Sequence, residues 1–386
     1  MSFEITFLGA SGGPIEGTNC SILVKPSHLS YETIINQNLK DEVICIDAGS
    51  GLLQLSEIIH NEQLHQQSNS KLLHLYNDSL PTKDYISSTK AKGTNIKITT
   101  PFKSLKDTCF KSSQSIFNNV QTYLITHPHL DHINALVINS SSFSKLNPKQ
   151  IFGSNYTIDA LKVHIFNGII WPKLNNFNLI NLISKPFWHQ FSINNDNYNI
   201  TMFDLSHGVS CSNGFVKHED IIEQPRDCNN IVRNEDTCYL SSAFLIESPS
   251  FHKSLLIFGD FESDLMSNLS KNKRVWNFIA PIINSNQLSG IILECSNQND
   301  SNEDELYGHL IPNHLIHELK YLESKCISLN SSISKPLQGL NIIVNHIKEP
   351  LDTVHDPRQM ILQELNNLND LGVQFSIGLS GVSVII

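Results

Sequence analysis

Residues 127–132 read His127-Pro128-His129-Leu130-Asp131-His132 and lead directly into the apolar run INALVIN. Three imidazoles and a carboxylate in so short a span supply the nitrogen and oxygen donors that a borderline ion such as Zn²⁺ accepts, with no thiolate required. His127 and His129, leaving a strand in alternating register, can face one ion together. Asp131 and His132, at the turn into a helix, can face a second. The run supplies too few ligands for two ions, so partners must come from elsewhere in the chain. Three other positions share one local pattern with His127, which follows QTYLIT. YNITMFDLS runs into His207, SLLIFG into Asp260 and LNIIVN into His346, each an apolar run ending on a metal-competent side chain. His207 would complete the first set and His346 the second, with Asp260 placed to bridge them. The expectation is two divalent metal ions, with Zn²⁺ the best match.

These residues need a scaffold that brings distant strand ends to one place. If the four runs are strands, their carboxyl ends can meet at one rim of a sheet, where α/β proteins commonly build their sites. EITFL, CSILVK and EVICID add β-rich runs, the first two flanking a glycine turn. Helical spacing follows from about Leu53 to His65 and recurs in DHINALVINSSSF, YTIDALKVHIF and RQMILQELNNL. The alternation predicts an α/β layered fold with sheet inside and helices outside. Two polar stretches, near 66–95 and 211–237, lack any period and read as surface insertions on a single domain spanning 1–386. His28, His60, His65, His74, His189, His218 and His252 lie in polar or irregular surroundings and carry no role. His314 and His317 flank the helix-like LIHELKYL, which reads as scaffold.

Composition narrows the function classes. The chain has 386 residues, 40% of them hydrophobic, and 27 Lys and Arg against 37 Asp and Glu, for a net charge of −10. That is enough apolar residue for a large core, and the acidic balance argues against a protein that coats nucleic acid. No stretch approaches the roughly 20 apolar residues needed to span a bilayer, and the amino terminus lacks a signal-like pattern. Neither a nucleic-acid nor a membrane partner is therefore expected. The eight cysteines form no CxxC pair and read as reduced, structural side chains, which fits a cytoplasmic protein.

HPHLDHINALVINS resembles the signature of the class II cyclic-nucleotide phosphodiesterases, the group that includes the fungal low-affinity cAMP phosphodiesterases. The likeness extends through FLGASGGPIEGTNCSILVK, IDAGSG, FNGIIWP, LLIFGD, LECS, ELYGHL and LNIIVNHIKEPL, and so covers all but the two polar stretches. Pro128, Ala135 and Ser141 depart from the family pattern without replacing a ligand. The resemblance implies a metallo-β-lactamase-like four-layer αββα sandwich. It also implies metal-dependent hydrolysis of 3′,5′-cyclic nucleotides, cAMP and also cGMP, to 5′-monophosphates. On this basis His127, His129 and His207 hold one ion, Asp131, His132 and His346 hold the other, and Asp260 is shared. Water held between two such ions is acidified towards neutrality and becomes the nucleophile. Asp131 is the candidate to accept its proton. His309, in ELYGHL, is the candidate to contact the phosphate or the departing 3′ oxygen.

Two other readings compete. A metallo-β-lactamase-fold RNA-processing nuclease would need a basic surface to track a phosphate backbone, and KHEDIIEQPRDCNNIVRNED is mixed in charge. A catalytically inactive cyclic-nucleotide-binding regulator would be expected to have lost a ligand, whereas all seven candidate ligands are present.

Overall fold

The computed structural model describes residues 2–87, 96–210, 234–235, 237–351 and 354–386. The strands, in chain order, begin with β1 (Phe3–Gly9), β2 (Ser21–Pro26), β3 (Ile44–Ile46), β4 (Lys97–Thr99) and β5 (Thr122–Leu124). They continue with β6 (Lys149–Gly153), β7 (Ile180–Ser184), β8 (Gln190–Ile193), β9 (Tyr198–Val209) and β10 (Cys238–Ser248). The last are β11 (Lys253–Phe258), β12 (Leu288–Glu294), β13 (Asn341–Asn345), β14 (Gln374–Ile377) and β15 (Ser383–Ile385). Eight form one sheet in the order β4-β15-β1-β2-β3-β5-β6-β7, and seven form a second in the order β14-β13-β12-β11-β10-β9-β8.

Side-chain alternation explains how the sheets stack. In β2, Ile22 and Val24 pack into the core shared with the second sheet, while Leu23 between them packs with the helices Leu52–His65 and Cys109–Asn119 on the other face. β3 repeats this with Ile44 and Ile46 on one side and Cys45 on the other. The central strands of the second sheet are apolar on both faces, as in Ile291, Ile292 and Leu293 of β12. The helices Lys271–Asn284, Pro312–Leu329 and Pro357–Leu368 cover its outer side through Trp276, Ile279, Leu315, Leu319, Ile361 and Leu365. Burial of a strand on both faces requires such a continuous apolar run. The layers are helix, sheet, sheet, helix, the sandwich expected from the sequence.

Direction then places the site. β3 and β5 run parallel, as do β11, β12 and β13. β9 is antiparallel to β10 and β10 to β11, so β9 points the same way as β11. The carboxyl ends of these strands meet at one rim.

Three stretches differ from their sequence reading. His207 lies inside β9, which continues to Val209, because the strand stays paired with β10. YTIDALKVHIF holds a regular helix only over Asn155–Ala160 before widening into a broader turn at Leu161–Ile165. The polar segment after His65 is tied into the body: Leu73, Tyr85 and Ile86 join the inter-sheet core. Residues 88–95 of that segment, and nearly all of 211–237, lie outside the described residues. Among the described residues no helix is long and apolar enough to cross a membrane.

Candidate active site

The helix Leu130–Asn139 follows β5 across residues 125–129, and the HPHLDH run spans the end of that connection and the first helical turn, with His129 at the cap position. It is locked to the end of β3 by backbone bonds from Ala48 N to His132 O (2.7 Å) and from Ala135 N to Ala48 O (2.8 Å). Gly49 has to be glycine here, since a Cβ would lie 1.8 Å from the Asp131 carbonyl oxygen. Asp47, with φ of 54°, directs its carboxylate at this junction, accepting from Thr126 N (2.8 Å), Thr126 Oγ1 and His132 Nδ1 (2.7 Å). A left-handed backbone at a non-glycine residue persists only where its surroundings fix it.

Four histidines have their tautomers set by these surroundings. His132 Nδ1 donates to Asp47, and His207 Nδ1 donates to the Gly308 carbonyl (2.9 Å). The Thr126 hydroxyl gives its proton to Asp47 and so accepts from His127 Nδ1 (3.0 Å). The Ser296 hydroxyl accepts in the same way from His346 Nδ1 (3.0 Å). Each ring therefore turns its Nε2 atom inward. The four Nε2 atoms lie 3.7 Å (His127), 3.2 Å (His132), 3.7 Å (His207) and 3.0 Å (His346) from a single atom, Asp260 Oδ2. His129 presents Nδ1 instead, 3.1 Å from His127 Nε2 and 3.3 Å from His207 Nε2. Asp131 Oδ2 is 3.3 Å from His346 Nε2.

Position in β9 explains how His207 reaches inward from mid-strand. Ser206 pairs with Leu240 and Val209 with Cys238, leaving His207 and Gly208 opposite Tyr239 alone. Two residues against one is a bulge, a device that re-aims a side chain next to a site. On the opposite flank, His346 has φ of 55° and sits so close to the first glycine turn that a Cβ on Gly12 would lie 2.5 Å from its Nδ1.

The donors fall into two overlapping groups, His127–His129–His207–Asp260 and Asp131–His132–His346–Asp260, with the ligand atoms of each within 4.8 Å of one another. A further group, His207–Asp260–Glu294–His309, adjoins them. His309 is buried, and its Nδ1 sits on the Glu294 carboxylate at 2.9 Å, which leaves Nε2 as its available atom. Beside it a cavity of about 300 Å³ is lined by Tyr239, Glu262, Met266, Leu306, Tyr307 and His309.

Charge in the pocket is polarised. Burial pushes the Asp260 carboxyl up, but His346 and His132 more than reverse this and hold it well below the usual carboxylate range. Burial works equally against charge on His346, and Asp260 and Asp131 overcome it, raising that imidazole to about 10. His132 is raised for the same reasons. His207 moves the other way, to about 3, through burial and the neighbouring His309.

A family model described as "cAMP phosphodiesterases class-II" matches residues 33–381. The chain belongs to that family. It is 44% identical to a 3′,5′-cyclic-nucleotide phosphodiesterase of Candida albicans and 31% identical to 3′,5′-cyclic-nucleotide phosphodiesterase 1 of Saccharomyces cerevisiae. The first match covers all of both chains and the second 98% of each. The crystal structure of unliganded yeast PDE1 superposes with a TM-score of 0.78 at 28% identity, over 100% of this chain and 99% of that one. The metallo-beta-lactamase fold protein YhfI from Bacillus subtilis matches over the full length of both chains with a TM-score of 0.51 at 11% identity, a likeness of fold alone.

A class-II phosphodiesterase on the metallo-β-lactamase fold implies divalent metal binding, and the donor groups fit it. Neutral imidazoles with Nδ1 engaged and Nε2 free are the usual state of histidine ligands, and buried carboxylates converging with them need a cation. All eight residues singled out from the sequence lie in this one constellation. Two that matter were missed, Asp47 and Glu294. Each ends an apolar run, EVICID and IILE, so the strand-end pattern that picked out His207 and His346 picks them out too.

Proposed function

We propose that this chain hydrolyses 3′,5′-cyclic nucleotides, cAMP and also cGMP, to nucleoside 5′-monophosphates with two divalent ions, both Zn²⁺. The observation that carries the reading is the convergence of four tautomer-fixed Nε2 atoms on Asp260 Oδ2. His127, His129 and His207 would hold one ion, Asp131, His132 and His346 the other, and Asp260 both. All-nitrogen and oxygen donors with several imidazoles favour Zn²⁺ over the harder Mg²⁺. Such a pair supplies Lewis acidity to the phosphoryl oxygens and brings a bound water to a pKa near ~7.

The chain's own groups then manage the protons and the substrate. Asp131, at the edge of the constellation and partly exposed, takes the proton from the attacking water. The 3′ oxygen leaves from the opposite side of phosphorus in an in-line displacement and needs a proton in turn. His309 Nε2 delivers it, with Glu294 holding the other ring nitrogen and so orienting the ring. Carboxylate-oriented imidazole is a common general acid. The nucleoside lies in the adjoining cavity between Tyr239 and Leu306–Tyr307, where an aromatic wall suits a base. A cytoplasmic setting is supported by Cys20, Cys45, Cys109, Cys238 and Cys295, which form no disulfide among the described residues.

The test is incubation of the purified protein with 3′,5′-cAMP and, separately, 3′,5′-cGMP, with products resolved by chromatography. The reading expects the 5′-monophosphate from each. Formation of 3′-monophosphates, or turnover insensitive to a strong chelator, would contradict it.

A further inference from the structure

The polar segment after His65 touches the body of the protein at a specific place. Tyr76 Oη donates to Glu349 Oε2 at 2.6 Å, and Ser79 Oγ donates to Asp356 Oδ2 at 2.6 Å. Tyr85 Oη donates to the same Asp356 oxygen. Glu349 and Asp356 are both buried, and they share one guanidinium: Arg358 bonds Glu349 Oε1 and places Nε 2.8 Å from Asp356 Oδ1. Two buried carboxylates on one cation leave an excess negative charge, and the phenols and the hydroxyl are the donors that make it tolerable. The Arg358 guanidinium also lies 5.3 Å from the centre of the Tyr76 ring.

Glu349 is three residues beyond His346, in the loop that fixes that histidine's left-handed backbone. His346 N bonds Ala10 O (2.8 Å), Gly12 N bonds Ile347 O (2.9 Å) and Glu349 N bonds Gly13 O (2.8 Å). One side of the loop is thus held by the glycine turn after β1. The other is held by the Glu349 side chain, and through it by Tyr76.

We propose that residues 70–87 are a positioning element for the metal centre, with Tyr76 and Tyr85 acting through Glu349 and Asp356 to set the His346 loop. The inference rests on the two-ion reading above and assigns the segment's influence to the ion that His346 would hold. Residues that act on a site through a chain of contacts change its energetics by about 0.5–2 kcal/mol, or roughly 2- to 30-fold. A segment that reads as a polar surface insertion thereby becomes part of the site's support.

The experiment is titration of metal-free protein with Co²⁺, followed by visible absorption, for the wild type, Tyr76→Phe and Tyr85→Phe. Both variants keep the ring and remove only the donor. One of the two binding steps should weaken by roughly 2- to 30-fold, with the other unchanged. Leu73→Val, which loosens packing of the same segment without touching the carboxylates, should lower the melting temperature and leave both steps alone. Tyrosine variants with both steps at wild-type strength, or weakened equally, would overturn the proposal, as would a selective loss in Leu73→Val. Because the two tyrosine variants are independent, misfolding of one leaves the other to decide. A wild type that takes up one ion would remove the two-ion reading and this inference together, whereas two ions with unaffected variants would remove this inference alone.

Discussion

Asp47 Oδ2 lies 2.7 Å from His132 Nδ1, on the far side of the ring from Asp260. The pair fixes the tautomer of His132 and raises the basicity of the nitrogen that faces the other donors. Asp47→Asn keeps the shape and removes the charge. It should weaken metal binding by about 10- to 100-fold, seen as a lower chelator concentration for half inactivation. An unchanged chelator profile would show that the carboxylate does not act through His132.

His309 and Glu294 form a second pair, with a different expected signature. Neither belongs to the two sets of proposed ligands, so His309→Gln should retain both ions while kcat falls by about 10²- to 10⁴-fold. Glu294→Gln should act in the same direction, because an amide orients His309 Nδ1 less firmly than the carboxylate that accepts from it at 2.9 Å. Full turnover in His309→Gln would remove it from the leaving-group role.

Stability should depend on pH through a group far from the site. Glu62, in the helix Leu52–His65, has no exposed surface. One carboxylate oxygen accepts from Phe102 N at 2.8 Å and the other has no partner. Burial raises its carboxyl to about 8. The folded state therefore holds this proton where the unfolded state, with a pKa near ~4.3, has released it. Its contribution is complete below the unfolded value and is lost as pH climbs towards 8. The loss is on the order of a few kcal/mol. Urea midpoints at pH 5 and pH 8 should differ more in the wild type than in Glu62→Gln, and equal differences would contradict the assignment.

Much of the site was legible because each metal-competent residue follows an apolar run, and parallel strands deliver such positions to one rim. His127 and His346 follow that rule directly. His207 obeyed it for a different reason, since its strand continues past it and a bulge opposite Tyr239 turns the ring inward. Asp47 and Glu294 fit the pattern but stood unclaimed, because a lone carboxylate at a strand end is also what an ordinary turn looks like. The layered fold was legible from the alternation of strands and helices. The anchoring of residues 70–87 was not: its partners Glu349 and Asp356 lie more than 270 positions away, and no local periodicity reports such a contact. Helical spacing in YTIDALKVHIF overran because the pattern does not distinguish a regular turn from the wider one at Leu161–Ile165.

The central claim is that Asp260 joins two metal positions in one hydrolytic centre. Its most direct test counts bound zinc and measures cAMP hydrolysis on the same samples of wild type and Asp260→Ala. About two ions per chain and conversion to 5′-AMP are expected in the wild type. The variant should fold, lose metal and show a large fall in turnover. Asp260→Ala with unchanged metal content and activity, or a metal-free wild type that still converts cAMP, would contradict it.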